Sequence, residues 1–114
     1  MDNVIIEKSQ IGQFSNGQGV FANRDFKKGE VVIQYHLKPL TQKEWQELPR
    51  KEKEFTHTHW GKVYLYLEPE RYVNHSENPN TYQDLNKSRD IALRDIKKGE
   101  EIKTDAKKDE TRSV

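Results

Sequence analysis

Apolar residues in this chain recur in short runs with a period of two, separated by Gly, Pro and charge. Val4-Ile5-Ile6 opens the series, and Val20-Phe21-Ala22 follows a polar, Gly-rich turn that ends at Gly19. Over residues 31–37, Val31, Ile33, Tyr35 and Leu37 fall on one face, as a half-buried strand requires. Residues 62–67 repeat the pattern, with Val63, Leu65 and Leu67 on one face and Tyr64 and Tyr66 on the other. Ile91-Ala92-Leu93 and Glu101-Ile102 are shorter strand candidates. One helix is expected from Thr41, because Thr41-x-x-Glu44 has capping-box spacing and Trp45 and Leu48 lie three apart. Pro49 should break or kink it, leaving the charged run 50–54 as a solvated face or loop. The fold class expected from these elements is mainly β with one or two short helices.

One segment occurs twice. Arg24-Asp25-Phe26-Lys27-Lys28-Gly29-Glu30 returns as Arg94-Asp95-Ile96-Lys97-Lys98-Gly99-Glu100. Two copies are too few for a solenoid, so the echo reads as one turn solution used twice, with a permissive Gly between strands.

Composition narrows the classes. A hydrophobic content of 32% and a mean hydropathy of -1.13 lean toward the polar side. Eleven aromatics (2 Trp, 5 Tyr, 4 Phe) nevertheless supply a core. The 114 residues suit a single domain, expected over 1–106 with a polar tail over 107–114. Twenty basic against 19 acidic residues leave a net charge of +1, so no global field favours nucleic acid or an anionic membrane. The absence of Cys excludes disulfides, thiolate zinc sites and a cysteine nucleophile. Neither a membrane span nor a signal peptide is legible, which makes the cytoplasm the expected compartment.

The densest chemistry lies in Arg71-Tyr72-Val73-Asn74-His75-Ser76-Glu77-Asn78-Pro79-Asn80, directly after an apolar run. Asn, Ser and Pro at such density build a turn. Their order, Arg-aromatic-aliphatic-Asn-His-Ser-x-x-Pro-Asn, resembles the signature of the SET domain, the fold of most protein lysine methyltransferases. Two further segments are similar to the same family. Asn16-Gly17-Gln18-Gly19-Val20-Phe21-Ala22 looks like its opening Gly-x-Gly turn, and Ala92–Ile102 looks like its closing run. The three stand in the family's order and span roughly residues 12 to 106.

The resemblance implies a β-clip of small curved sheets with a threaded C-terminal segment. It also implies S-adenosylmethionine as methyl donor and a protein or peptide lysine as acceptor. Carried over position by position, Asn16, Gly17, Gln18 and Gly19 would cradle the methionine portion of the donor. Asn74 and His75 would meet the donor, Arg71 would position it or its neighbouring loop, and Asn80 would lock the turn. His75 would act by position, not as a general base. A partner copy completing the substrate groove, and hence a homodimer, is compatible with so small a domain.

The chain departs from the family in its catalytic half. Glu77 replaces the usual Cys, and Lys103-Thr104-Asp105-Ala106 stands where active relatives carry polar-Tyr-Asp-Tyr. Tyr82 is the last aromatic in the sequence. Thr104 keeps a hydroxyl one ring shorter, and losing an aligned hydroxyl at a reacting centre costs about 2.7–4 kcal/mol, or 10²–10³ in rate. Tyr35, Tyr64, Tyr66 and Tyr72 are the replacement candidates, with Tyr64 and Tyr66 preferred because they share one face just before the Asn-His turn, set against ordinary packing of strand aromatics. The first functional reading is therefore an S-adenosylmethionine-dependent lysine methyltransferase with catalytic candidates Tyr64, Tyr66 and Thr104, and the second is a catalytically impaired SET-derived cofactor-binding or protein-interaction module. A third is an unrelated β-rich interaction domain with a coincidental Asn-His-Ser turn.

Other chemistries find little support. His57-x-His59 has the spacing of a metal-ligand pair but lacks an evident third ligand, so no metal is expected. Asp84, Asp90 and Asp95 are not spaced as a hydrolytic pair, and no Ser lies in a nucleophile elbow. Gly17-Gln18-Gly19 lacks the Lys-Ser/Thr of a phosphate loop.

Overall fold

The apolar runs pair into three small sheets in the computed structural model, which describes residues 3–10, 17–59 and 61–105. In the first sheet, β1 (Val4–Lys8) runs antiparallel to β2 (Gln18–Ala22), with Val4 opposite Ala22 and Lys8 opposite Gln18. The second contains β3 (Val31–Gln34), β8 (Thr81–Asp84) and β9 (Arg89–Ala92) in the order β3-β9-β8. The third contains β4 (Lys38–Leu40), β5 (Thr56–His59) and β6 (Lys62–Leu65) in the order β4-β6-β5. Two further strands, β7 (Asn74–His75) and β10 (Glu101–Thr104), complete the first sheet as β1-β2-β10-β7. β10 is antiparallel to β2 and parallel to β7. Val20, Phe26, Ile96 and Ile102 are at most 1% exposed and form the centre of the core.

Helix α1 (Gln42–Glu47) starts as its sequence predicts. The Thr41 hydroxyl accepts from the Glu44 amide at 3.1 Å, and the Glu44 carboxylate accepts from the Thr41 amide at 3.0 Å. Pro49 ends this helix but does not leave a loop behind it. Its carbonyl accepts the amides of Glu52 and Lys53, which nucleates α2 (Arg50–Lys53), a turn of helix in the charged run with Arg50 and Lys51 exposed and Glu52 and Lys53 half-buried. A 3₁₀ turn over Glu70–Tyr72 leads into the Asn-His segment.

The alternation expected across residues 31–37 does not persist. A register shift between Val31 and Ile33 puts Val32 and Ile33 inside together, each 3% exposed, and β3 ends at Gln34. A bulge inserts one residue into the ladder and so resets which residues face inward. Likewise β6 stops at Leu65, and Leu65 and Tyr66 are buried in succession.

The repeated segment turns out to pair with itself. Phe26 and Ile96 exchange backbone hydrogen bonds at 2.8 and 2.9 Å. The Asp95 carboxylate accepts the Lys28 amide at 2.9 Å, and the Asp25 carboxylate accepts the Lys98 amide at 2.8 Å. Arg24 pairs with Glu30 and Arg94 with Glu100, both at 3.1 Å. Gly29 and Gly99 take φ of 90° and 94°, the left-handed region that the turn demands. One turn is thus used twice, and each copy supplies the other's partners.

Candidate functional site

Three stretches of sequence converge where β2, β7 and β10 meet. Along β10, Ile102 and Thr104 are buried on the core side, so Glu101 and Lys103 point to the opposite face. On that face the Glu101 carboxylate accepts the Ser9 hydroxyl at 2.8 and 2.9 Å and the Asn74 amide at 2.9 Å. Asn74 also donates to the Gln18 carbonyl at 2.9 Å, which ties it to the Gly-x-Gly turn. A methyl group at Gly19 would lie 2.7 Å from Glu101 Oε2 and 2.7 Å from Ser9 Cβ, so only glycine lets these groups close up. Gly17 has φ of 77°, and no atom of the described residues lies within 4 Å of the position its Cβ would take. Of the expected donor-binding residues, Gly17, Gln18, Gly19 and Asn74 therefore come together, and Asn16 lies outside the described residues.

His75 sits beside them, 39% exposed at its side chain, with Nδ1 3.8 Å from Asp105 Oδ1. The loop from Asn74 to Asn80 clasps β10 from both ends. Asn74 and His75 pair with Lys103 and Thr104, while the amides of Ser76 and Asn80 donate to the carbonyls of Thr104 and Lys103. Asn80 is 1% exposed, and its side chain bonds to β10 twice. It thus locks the turn onto the C-terminal strand, not merely onto itself. Thr104 is 2% exposed and belongs to the core side of β10, across the strand from Glu101.

The Arg71 guanidinium is engaged elsewhere. It makes a two-pronged contact with Glu52 at 3.0 Å on each side, donates to the Tyr66 carbonyl at 2.8 Å and lies 4.3 Å above the Phe55 ring. Burial opposes its charge, but the Glu52 carboxylate outweighs that and holds its pKa above the ordinary arginine value. In this arrangement it fastens α2 to the segment entering the Asn-His turn.

Tyr64 lies in β6 of the third sheet and Tyr66 directly follows that strand, whereas β10, which carries Thr104, belongs to the first sheet. Tyr66 is 4% exposed, and its hydroxyl lies 2.9 Å from His59 Nε2. Its ring is 4.4 Å from that of His57 and 5.6 Å from that of Tyr35, whose hydroxyl donates to the buried Asp90 carboxylate. Tyr64 is half-buried with its ring 6.2 Å from His59. His57 and His59 stack in parallel, as extended spacing predicts, but His59 is engaged by Tyr66. Among the described residues no group of three or more His, Asp or Glu is placed to hold a metal ion.

A groove of about 650 Å³ opens elsewhere, between β1 and β3, bordered by Ile5, Ile6, Ile33, His36, Glu68 and Pro69. None of the motif residues lines it, so volume and motif chemistry point to different places. The motif junction carries the directional polar groups that a specific ligand requires, and it is taken as the site. Sequence reasoning missed Glu101 and Ser9 there. The available signal was Gly19, since a glycine of close approach implies that something approaches it.

Among the described residues no helix is long and apolar enough to cross a membrane. A family model described as SET domain matches residues 17–105. A search of curated proteins gave no match. Among solved structures, a candidate histone methyltransferase of Plasmodium falciparum is 25% identical, with a TM-score of 0.68, covering 92% of this chain and 93% of that one. An autoinhibited PRC2 bound to S-adenosylmethionine is 25% identical with a TM-score of 0.71. A humanized mutant of the Chaetomium thermophilum Polycomb Repressive Complex 2, bound to the inhibitor GSK126, is 26% identical with a TM-score of 0.68. The chain spans 15% of the length of each of these two.

Proposed function

Because the chain belongs to the SET domain family, we propose that it binds S-adenosylmethionine and transfers its methyl group to a lysine of a protein or peptide. The observation that carries this reading is the junction of Gly19, Asn74 and Glu101, where the three family motifs interlock on one face of one sheet. The residues fit such a donor, since among the described residues Gly17 leaves open space, and backbone groups of the turn at residues 17–19 sit beside the Asn74 side chain.

When bound, the donor supplies a methyl group activated by a positive sulfonium. The chain's task is to hold both reactants. The residues of the turn 17–19 and Asn74 would seat the methionine portion, and His75 would shape the adjoining wall. The acceptor must arrive neutral: free lysine has a pKa of about 10.4, so about one in 2,500 is deprotonated at pH 7. An apolar, aromatic channel lowers that pKa by desolvation. Tyr66, buried against Tyr35 and His57, is the candidate wall for it. Substrate choice would rest on residues 38–62, which build most of the third sheet together with α1 and α2.

A second reading is favoured by Thr104. It stands where active relatives carry Tyr, and its side chain is on the buried side of β10. On that reading the chain binds the donor without turnover and acts through protein contacts. Calorimetric titration with S-adenosylmethionine, paired with methyl transfer to lysine peptides, separates the two. Saturable one-to-one binding that disappears in Asn74→Ala, together with turnover, supports the enzyme. Binding without turnover supports the module, and a flat titration of folded protein sinks both.

A further inference from the structure

Among the described residues the Glu101 carboxylate has neutral partners only. Ser9 and Asn74 donate to it, Gly19 closes over it, and among the described residues no Lys, Arg or His forms an ion pair with it. Lys103 shares its face of β10, yet it forms no ion pair with Glu101. A partly buried charge held by neutral dipoles alone is unusual, because desolvation is normally offset by an opposite charge. Three other carboxylates, Glu30, Glu52 and Glu100, each meet an arginine.

We propose that Glu101 is the counter-charge for a cationic ligand seated in the Gly17–Gly19 cradle, and that it positions Asn74 for the same ligand. This rests on the methyltransferase reading, under which the ligand is the methyl donor with its positive sulfonium. The carboxylate attracts the donor through space and steadies Asn74 by direct contact. The product, having lost its sulfonium charge with the methyl group, is held less tightly than the donor. Glu101 thereby favours exchange of spent for fresh donor and is a positioning residue, not a catalytic one.

The test is calorimetric titration of the full chain with S-adenosylmethionine and, separately, with S-adenosylhomocysteine. Wild type is expected to prefer the sulfonium compound. Glu101→Gln should weaken S-adenosylmethionine by about tenfold, as for one charge pair of moderate screening, and S-adenosylhomocysteine far less. Glu101→Asp keeps the charge and should keep the preference. Equal loss of both ligands in Glu101→Gln would show a purely structural role and overturn the proposal. If that variant does not fold, equal affinity of wild type for the two ligands overturns it alone. Failure of wild type to bind either ligand defeats the methyltransferase reading itself, a result distinct from equal binding.

Discussion

Asn80 holds Lys103 in place from inside the protein. Its side-chain oxygen accepts the Lys103 amide at 2.8 Å, while its own amide reaches the Glu101 carbonyl at 2.8 Å. One side chain thus stands in for a neighbouring strand along part of β10. Asn80→Ala removes both bonds and leaves buried β10 groups unpaired, at a cost of about 2–4 kcal/mol. Thermal denaturation should show a drop of roughly 10–20 °C for a domain of this size. A drop of only a degree or two would show that water replaces the amide.

Gly19 and Gly17 should respond to alanine differently. At Gly19 the new methyl meets Ser9 Cβ, which cannot swing away, so Gly19→Ala is expected to cost about 1–3 kcal/mol as overpacking and to abolish donor binding. At Gly17 no described residue crowds the new methyl, and the left-handed backbone is strained by about 1 kcal/mol. Parallel melting curves and titrations of the two variants would check this ordering.

Arg71 serves the scaffold in this structure. Arg71→Lys loses the forked contact with Glu52 and the stacking over Phe55, and is expected to cost about 1–3 kcal/mol. In a double-mutant cycle, the loss should shrink markedly when Glu52 is already Gln. Strictly additive losses would show that the pair is not a working contact.

The paired turns make stability depend on acid. The Lys97 amide, followed by the Arg94 guanidinium, holds the Glu100 carboxyl below its ordinary value of 4.5, against a desolvation effect. Glu30 is lowered likewise by the Lys27 amide and then Arg24. Since the folded values lie below the unfolded ones, this stabilisation is complete above about pH 4.5 and disappears as pH falls through the lowered values. Melting temperature followed from pH 6 down to pH 3 should fall less steeply in Glu100→Gln than in wild type.

Thr104→Tyr restores the hydroxyl and ring of active relatives but places them on the buried side of β10. Overpacking there is expected to destabilise by about 1–3 kcal/mol. A gain of turnover without loss of stability would show that the position faces an open channel.

Much of this fold was legible because it is local. The capping box at Thr41, the Gly-x-Gly turn and the strands at Val20 and Val63 follow from period and turn chemistry. What was not legible depends on distant partners. The bulge in β3 is set by pairing with β9, and α2 forms because the Pro49 carbonyl finds two amides. The echo of Arg24–Glu30 in Arg94–Glu100 was visible as a repeat, but its reciprocity needed three dimensions. At the site, Asn74 and the glycines announce themselves by residue type. Glu101 is one of many glutamates until Ser9 and Asn74 are seen to point at it.

The twinned turns have a consequence for how the chain acquires its structure. Each turn borrows hydrogen-bond partners about seventy residues away, and β10 must enter between β2 and β7 before the first sheet is whole. Neither half can therefore settle alone, and folding waits on contacts of high sequence separation, which are slow to close. A chain ending near residue 90 should stay protease-sensitive throughout, with no native-like N-terminal half. The domain is indivisible: it becomes a protein only when β10 arrives.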